Sequence, residues 1–531
     1  MEIITQNIGY KKHLFKKIFN DNYLFIGILV LLFFGIGLIN ILNHELWRDE
    51  IEAWLIAKES TSITNLFKNF DLEGHPCLWY LCLYLISRFT DNIFAMQIFH
   101  LILATGAILI FVRFSTFTKL QKILLVFSYF LFYEYATISR NYAIGILLIF
   151  VICWLFQKRT KTYLPLSILL FFLCQTNVFG LIIAILFGFS LVFEYATDQN
   201  LRESFSIKKW KIIISILIFI IGISSSILQM LPPVDSVHVV GWNTNLNQWM
   251  FLRTFKTIWY SYFPVPKIDY RFWGTNILNS GFLQVNLAAI LIFCICLFFI
   301  RKPVVFYVYS LGTFGILAFF YLKHYGALRH HGHLFILLIV CFWIARYYPN
   351  IELTSRLLSK VTKFFIKIRP AFITLLFFFH FIAGIIAISY DWKYPFSASR
   401  EVVKYIQEQN LDHFTIAGDI DYVTQFVSAY FNKKIYYPGS NRFGSFPIWD
   451  KICSKYQLID EEKNEVYFQN VLANLKKFSQ ERGEDILLIL NYPLDTSHPF
   501  IQLKSFNHSI VTNETYYLYL LKKNVKCSNN E

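Results

Sequence analysis

Four short polar groups interrupt an otherwise apolar chain: Trp47-Arg48-Asp49-Glu50, Gly74-His75-Pro76, Ser139-Arg140-Asn141-Tyr142 and Arg329-His330-His331-Gly332. The first carries a carboxylate pair, Asp49 and Glu50, and a carboxylate near a hydroxyl or amine can act on it as a general base. The others carry His75, Arg140, Arg329, His330 and His331, cationic groups able to hold a departing phosphate by charge-assisted hydrogen bonds. Base and cations together suit transfer of a group from a phosphate-linked donor. Each group also has a plain reading by itself. Arg140 can snorkel to a lipid headgroup, and Trp47 is an ordinary interface anchor. A histidine at a helix end is commonly a satisfied structural residue. Asp49, Glu50 and Glu52 suit the N-terminus of any helix that follows. Their meeting on one face is what would separate chemistry from punctuation.

The elements that must position them are membrane helices. The 531 residues are 56% hydrophobic and 19% aromatic, with mean hydropathy +0.47, which excludes an ordinary soluble domain. The run YLFIGILVLLFFGIGLINIL, from Tyr23 to Leu42, reaches the ~20 residues that cross a hydrocarbon core, and similar runs recur almost to residue 390. A polytopic α-helical membrane protein is therefore expected. Lys11, Lys12, Lys16 and Lys17 precede the first run, and no small-x-small cleavage pattern follows it, so it reads as a retained anchor. In such a chain the net charge of +15 belongs to cytoplasmic loops, with no need for nucleic acid. Nine cysteines without paired CxxC spacing exclude a disulfide framework and an obvious zinc site. Neither a Walker loop nor a GxGxxG fingerprint occurs.

Loop charge threads the chain. The basic tail 1–22 is expected in the cytoplasm, so the acid-rich segment 43–92 falls outside, with eight acids against four basic side chains. Its apolar stretch CLWYLCLYLISRF, 77–89, is short for a span and suits an interfacial helix. Basic loops at 113–122, 157–162, 202–211, 301–302 and 346–369 are expected inside. Spans then fall near 23–42, 93–112, 121–135, 143–157, 163–175, 177–195, 212–230, 284–300, 304–322, 334–346 and 371–390, about eleven in all, with a long external loop over 231–283. KHYGALRHHGH becomes an external turn, and all four polar groups share the external face. Beyond residue 391 the helical stretches EVVKYIQEQ, VTQFVSAYF and VYFQNVLANLKKFSQER alternate with the strands HFTIAGD, KKIYYPG and DILLILN. That pattern predicts a small α/β domain over 391–531, on the external side.

An Asp-Glu pair after the first span, an interfacial helix opening GHPCLWYLCLYL and an external SRNY turn resemble the GT-C class of integral-membrane glycosyltransferases. The resemblance covers roughly residues 20–345. It points to the family 39-like bacterial branch, related to protein O-mannosyltransferases and the aminoarabinose transferase of lipid A. It implies a GT-C-like transmembrane domain over 23–390 and an inverting transfer of sugar from a polyprenyl-phosphate donor to a lipid, glycan or protein acceptor, at the external face of a bacterial inner (plasma) membrane. Asp49 would be the base, with Glu50 orienting the acceptor or holding the loop. His75 would lie at the mouth of the donor site, and Arg140 would match the arginine of the external turn. Asn141 and Tyr142 stand where some relatives carry an acid, so no metal or other cofactor is expected. Arg329, His330 and His331 enter as phosphate-gripping candidates on charge and side alone. Pro76-Cys77 replaces a Pro-Pro common in the family. Two other readings stay open: a polysaccharide ligase or polymerase acting on a lipid diphosphate, and a transporter.

Overall fold

The structure, a computed structural model, describes residues 22–205, 209–236, 241–450, 464–494 and 500–523. The basic tail before Asn22 and Lys208 of the basic loop lie outside them. In chain order the helices used below are α1 (Asn22–Asn43), α2 (Arg48–Glu59), α3 (Ile63–Phe70), α4 (Leu78–Ser87), α5 (Phe94–Phe114), α6 (Lys119–Val126), α7 (Tyr142–Leu155), α8 (Leu164–Cys174), α9 (Val178–Thr197), α10 (Lys209–Met230), α11 (Gly281–Phe299), α12 (Pro303–Leu322), α13 (Leu328–Ile344) and α14 (Arg356–Lys393). Eight of these, α1, α5 and α9 through α14, are long and apolar enough to cross a membrane, which makes the chain a multi-pass helical membrane protein. α4, α7 and α8 are apolar but shorter. The ten residues of α4 reach only about 15 Å, half a hydrocarbon core.

The spans sort by exposure. α13 is buried along almost its whole length and forms the axis of the bundle, whereas α10 presents Ile213, Leu217, Ile220 and Leu228 outward. An apolar side chain facing outward on an apolar helix has lipid as its natural solvent. α5 packs on α1 and α7, α10 on α8, and α9 on α12.

Three stretches differ from the sequence reading. The run at 121–135 breaks after Val126: Ser128 starts a new N-terminus by accepting from the Leu131 amide at 3.4 Å, and Tyr129–Glu134 forms a π-turn. Two glycines clasp that turn. A methyl on Gly384 of α14 would sit 2.6 Å from the Phe127 carbonyl oxygen, and one on Gly332 of α13 would meet Tyr135 and Phe130. The second difference lies in the basic loop 346–369, whose latter part is helical. α14 starts at Arg356, capped by Ser355, and runs 38 residues through Pro370. Thirdly, KHYGALRHHGH is not all loop. Gly326, at φ +76, makes the sharp entry and α13 begins at Leu328, so Arg329, His330 and His331 form its first turn.

Past α14 the chain builds a six-stranded mixed sheet in the order β3-β2-β1-β4-β6-β5. Its strands are β1 (Thr415–Gly418), β2 (Ile435–Tyr437), β3 (Arg442–Gly444), β4 (Ile486–Leu490), β5 (Phe500–Phe506) and β6 (Tyr516–Leu521). β1 pairs parallel with β2 and β4, and the other pairings are antiparallel. All five residues of β4 are buried, as both-face coverage requires. One face packs under α15 (Ser399–Glu408) and α16 (Phe426–Phe431), sharing a core with Trp54, Leu55, Tyr80 and Leu83 of α2 and α4. The other face lies against α17 (Asn464–Arg482) through Val471 and Leu475. The helices between α1 and α5 are thus wedged between bundle and sheet.

Candidate active site

α2 opens the site, and its first turn is tied from three directions. Glu50 is fully enclosed. Its Oε2 accepts from the Trp47 amide at 2.9 Å and meets His44 Nε2 at 3.2 Å, while Oε1 accepts from the Ser139 amide at 2.6 Å. The other ring nitrogen of His44 lies 2.8 Å from Asp391 Oδ2, at the end of α14. Burial opposes the charge on His44. The carboxylates on both sides outweigh it and push the imidazole up to about 10, so it is an imidazolium at neutral pH with both N–H groups donating. Glu50 therefore fastens α1, the 139–141 turn and α14 around the start of α2.

Asp49, one residue earlier, points the other way and keeps about a fifth of its side chain exposed. Its Oδ2 sits 3.0 Å from Arg140 Nη1 and 3.6 Å from Arg329 Nη2, and its Oδ1 lies 3.6 Å from Arg48 Nε. Three guanidinium groups thus surround one carboxylate. Trp47 supports two of them, with Arg140 5.8 Å and Arg329 4.7 Å from its ring centre. Trp273 meets Trp47 edge-on at 4.9 Å and adds a second face to Arg329 at 5.6 Å. The Trp273 indole N–H donates to Glu134 of the π-turn at 3.2 Å, and the Tyr135 hydroxyl donates to the Arg329 carbonyl at 2.6 Å. Arginine stacked on indole keeps its charge while losing little mobility on binding an anion.

Beside this group lies a cavity of about 150 Å³, lined among others by Asp49, Glu52, Glu73, His75, Arg140 and Asn141. Trp79 and Tyr80 of α4 and Trp449 from the sheet unit complete its walls. The carboxyls of Glu52 and Glu73 both line this cavity, close enough for Glu73 to disfavour charge on Glu52. Burial and the neighbouring acid raise Glu52 well above the usual carboxylate range, and burial pushes Glu73 up to about 7. Glu52 Oε1 accepts from the Trp449 indole N–H at 2.6 Å. The Trp79 indole N–H and Asn141 Oδ1 are buried without a partner among the described residues. Among the described residues, no group of three or more His, Cys, Asp or Glu side chains is arranged to hold a metal ion.

The structure brings Asp49, His75, Arg140, Asn141 and Arg329 to one place. It does not bring the rest. Tyr142 is buried against Tyr135 and His333. His330 accepts from the Ala327 amide at 2.8 Å and lies along Phe179. His331 pairs with the Tyr325 carbonyl at 3.0 Å and packs on Phe320. Both histidines serve the entry to α13. Sequence reasoning missed Glu52, Glu73, Trp79, Trp273 and Trp449. Glu52 had a usable signal, since it lies three residues after Asp49 and so shares a helix face with it. Glu73, just ahead of Gly74-His75, was counted only as loop charge. No family model matches the chain, and neither does any curated protein or solved structure.

Proposed function

We propose that this protein is an inverting glycosyltransferase of GT-C type, moving a sugar from a polyprenyl-phosphate donor to an acceptor hydroxyl or amine. The observation that carries the reading is one carboxylate, Asp49, held at 3.0 and 3.6 Å by Arg140 and Arg329 beside a cavity, at one end of a bundle of membrane helices. A carboxylate locked to two guanidinium groups is a poor base. An arriving phosphate competes for those groups, because phosphate accepts bidentate bonds from arginine as well as carboxylate does. Asp49 is then released to take the proton of the acceptor. The acceptor atom forms its bond to the anomeric carbon from the side opposite the phosphate, and the carbon–oxygen bond to phosphate breaks. Its electron pair leaves with the polyprenyl phosphate, now neutralised by Arg140 and Arg329. A donor that arrives through the bilayer fits an enzyme with no nucleotide-binding fingerprint in its sequence.

On this reading the bundle of 23–390 is the GT-C-like domain, the shorter helices α7 and α8 and the broken α6–π-turn segment complete about eleven membrane passes, and the sheet unit lies outside a bacterial plasma membrane. Glu50 positions Asp49 rather than touching substrate. The test is Asp49→Asn in purified, membrane-reconstituted protein supplied with radiolabelled polyprenyl-phosphate sugars. We expect sugar transfer to fall by a factor of about a thousand or more, as removal of a general base and its charge requires, with membrane insertion unchanged. An Asn variant with full activity overturns the reading, and transmembrane movement of label without any covalent product assigns the protein to transport instead.

A further inference from the structure

A second concave site lies at the far end of the bundle. The first residues of α1, Asn22 and Tyr23, border one cavity of about 340 Å³, whose cations are Arg113, Lys119 and Lys122. The 22 residues of α1 put it about 33 Å from the start of the Asp49 loop. Next to it, a cavity of about 300 Å³ opens between the α5–α6 link, the α11–α12 turn and α14. Its cations are Lys302, Arg346 and Arg369, and among the described residues no Asp or Glu lines either cavity. The link 113–119 supplies walls to both.

Basic residues in loops at one end of a membrane protein are ordinary, and solvent usually screens them. These differ in being set into a concave space and in lacking counter-charge. Lys302 donates to the carbonyls of Ala345, at 2.7 Å, and Tyr348, and Arg346 donates to the Phe114 carbonyl at 2.9 Å. They cap the C-terminal ends of α13 and α5, which offer partial charge only. Arg369 makes no hydrogen bond or ion pair among the described residues. Burial and the charge of Arg369 lower the Lys302 ammonium below its ordinary value, the signature of a cation short of an anion. Besides Thr116, Thr118 and Gln121, the remaining walls are apolar, with Phe117 and Phe342 on one side and Pro370 and Ile373 of α14 on the other. An occupant matched to this lining has an anionic head and an apolar continuation.

We propose that the Lys302–Arg346–Arg369 cavity binds the phosphate of an anionic membrane lipid, at the end of the bundle opposite Asp49. Basic pockets between membrane helices hold such headgroups through charge-assisted bonds, with acyl chains following the helix surface. The site does not depend on the reaction proposed for Asp49.

The test uses the full chain in neutral detergent, titrated with phosphatidylglycerol or phosphatidylcholine, bound lipid being counted by native mass spectrometry. Wild type is expected to bind phosphatidylglycerol at least about tenfold more tightly, and each removed charge to weaken that by roughly fivefold. Arg369→Gln is the primary variant, because Arg369 has no bond to lose among the described residues. Lys302→Gln/Arg369→Gln extends the series and Arg369→Lys should restore binding. Equal affinity for the two lipids, or unchanged phosphatidylglycerol affinity in Arg369→Gln, overturns the proposal. Displacement of phosphatidylglycerol by an equal concentration of inorganic phosphate assigns the site to free phosphate and overturns the lipid assignment. Failure of millimolar phosphate to displace the lipid supports it.

Discussion

At the residue scale, adjacent acids are given opposite tasks by which way they point. Glu50 turns inward to three hydrogen-bond partners, and Asp49 turns outward among three guanidinium groups. The third and fourth acids, Glu52 and Glu73, bring a titration into the cavity. Glu73 holds its proton up to about 7 when folded, against an ordinary 4.5. Its contribution to stability is therefore fully present below pH 4.5 and is lost as pH rises through 7. Glu73→Gln keeps the side-chain shape without the charge. Its melting temperature should decline less between pH 5 and 8 than that of wild type, where buried Glu45 and Glu514 also titrate near 7, and the proposed sugar transfer should lose any step that Glu73 sets. A wild-type decline that persists unchanged in Glu73→Gln would place the titrating group elsewhere. Arg329 was legible from sequence only as a cation expected on the same face as Asp49, which it meets at 3.6 Å. Its indole supports come from Trp47 and from Trp273, 226 positions away from Trp47 along the chain, and no local pattern encodes such a meeting.

At the scale of elements, the tie centred on Glu50 and the clasp on the π-turn carry the site. Removing one partner of a buried charged network leaves the others uncompensated, so Glu50→Ala should cost about 3–5 kcal/mol. The share due to charged His44 is present in full below pH 6.5, its ordinary value, and fades as pH rises through about 10. Thermal melts of wild type and Glu50→Ala should therefore converge toward high pH. Gly384→Ala tests the clasp. Its methyl meets a backbone oxygen that cannot rotate away, and about 1–3 kcal/mol of destabilisation is expected in detergent melts. A Gly384→Ala protein as stable as wild type would mean that α14 shifts freely. The long spans were legible because twenty apolar residues leave few alternatives. The break after Val126 was not, since the π-turn is held by glycines on two distant helices. The sheet was partly legible: EVVKYIQEQ and DILLILN carry helix and strand periods of their own. The hairpin of β5 and β6 was passed over because FIQLKSF, with a lysine and a glutamine, reads as polar loop until it is placed on an edge.

At the scale of the whole molecule, bundle, wedge helices and sheet meet at α2. The Arg48 amide donates to Glu514 at 3.0 Å, the Gln425 amide group donates to the Arg48 carbonyl at 3.1 Å, and Arg400 donates to the His44 carbonyl at 2.9 Å. Trp449 brings the same sheet unit into the cavity wall through Glu52. Trp449→Phe keeps an aromatic ring but leaves a buried carboxyl short of a donor. A loss of about 1–3 kcal/mol is expected, together with a rise in KM for the acceptor or donor that exceeds any change in kcat. An unchanged KM would show that the sheet unit only braces α2. Such long-range contacts are the part least legible in sequence, because Trp449 sits in a stretch without periodicity or motif.

α14 touches both ends of the molecule, Arg369 at one and Asp391 at the other. At the rise of a regular helix those two residues stand about 33 Å apart, close to the ~30 Å of a typical hydrocarbon core. The helix therefore acts as a ruler. Both of its graduations are charged, and a regular helix does not shorten to suit a thinner membrane. The lipid around it must stretch or thin to match, and fluid bilayers of much shorter chains should be deformed at its perimeter.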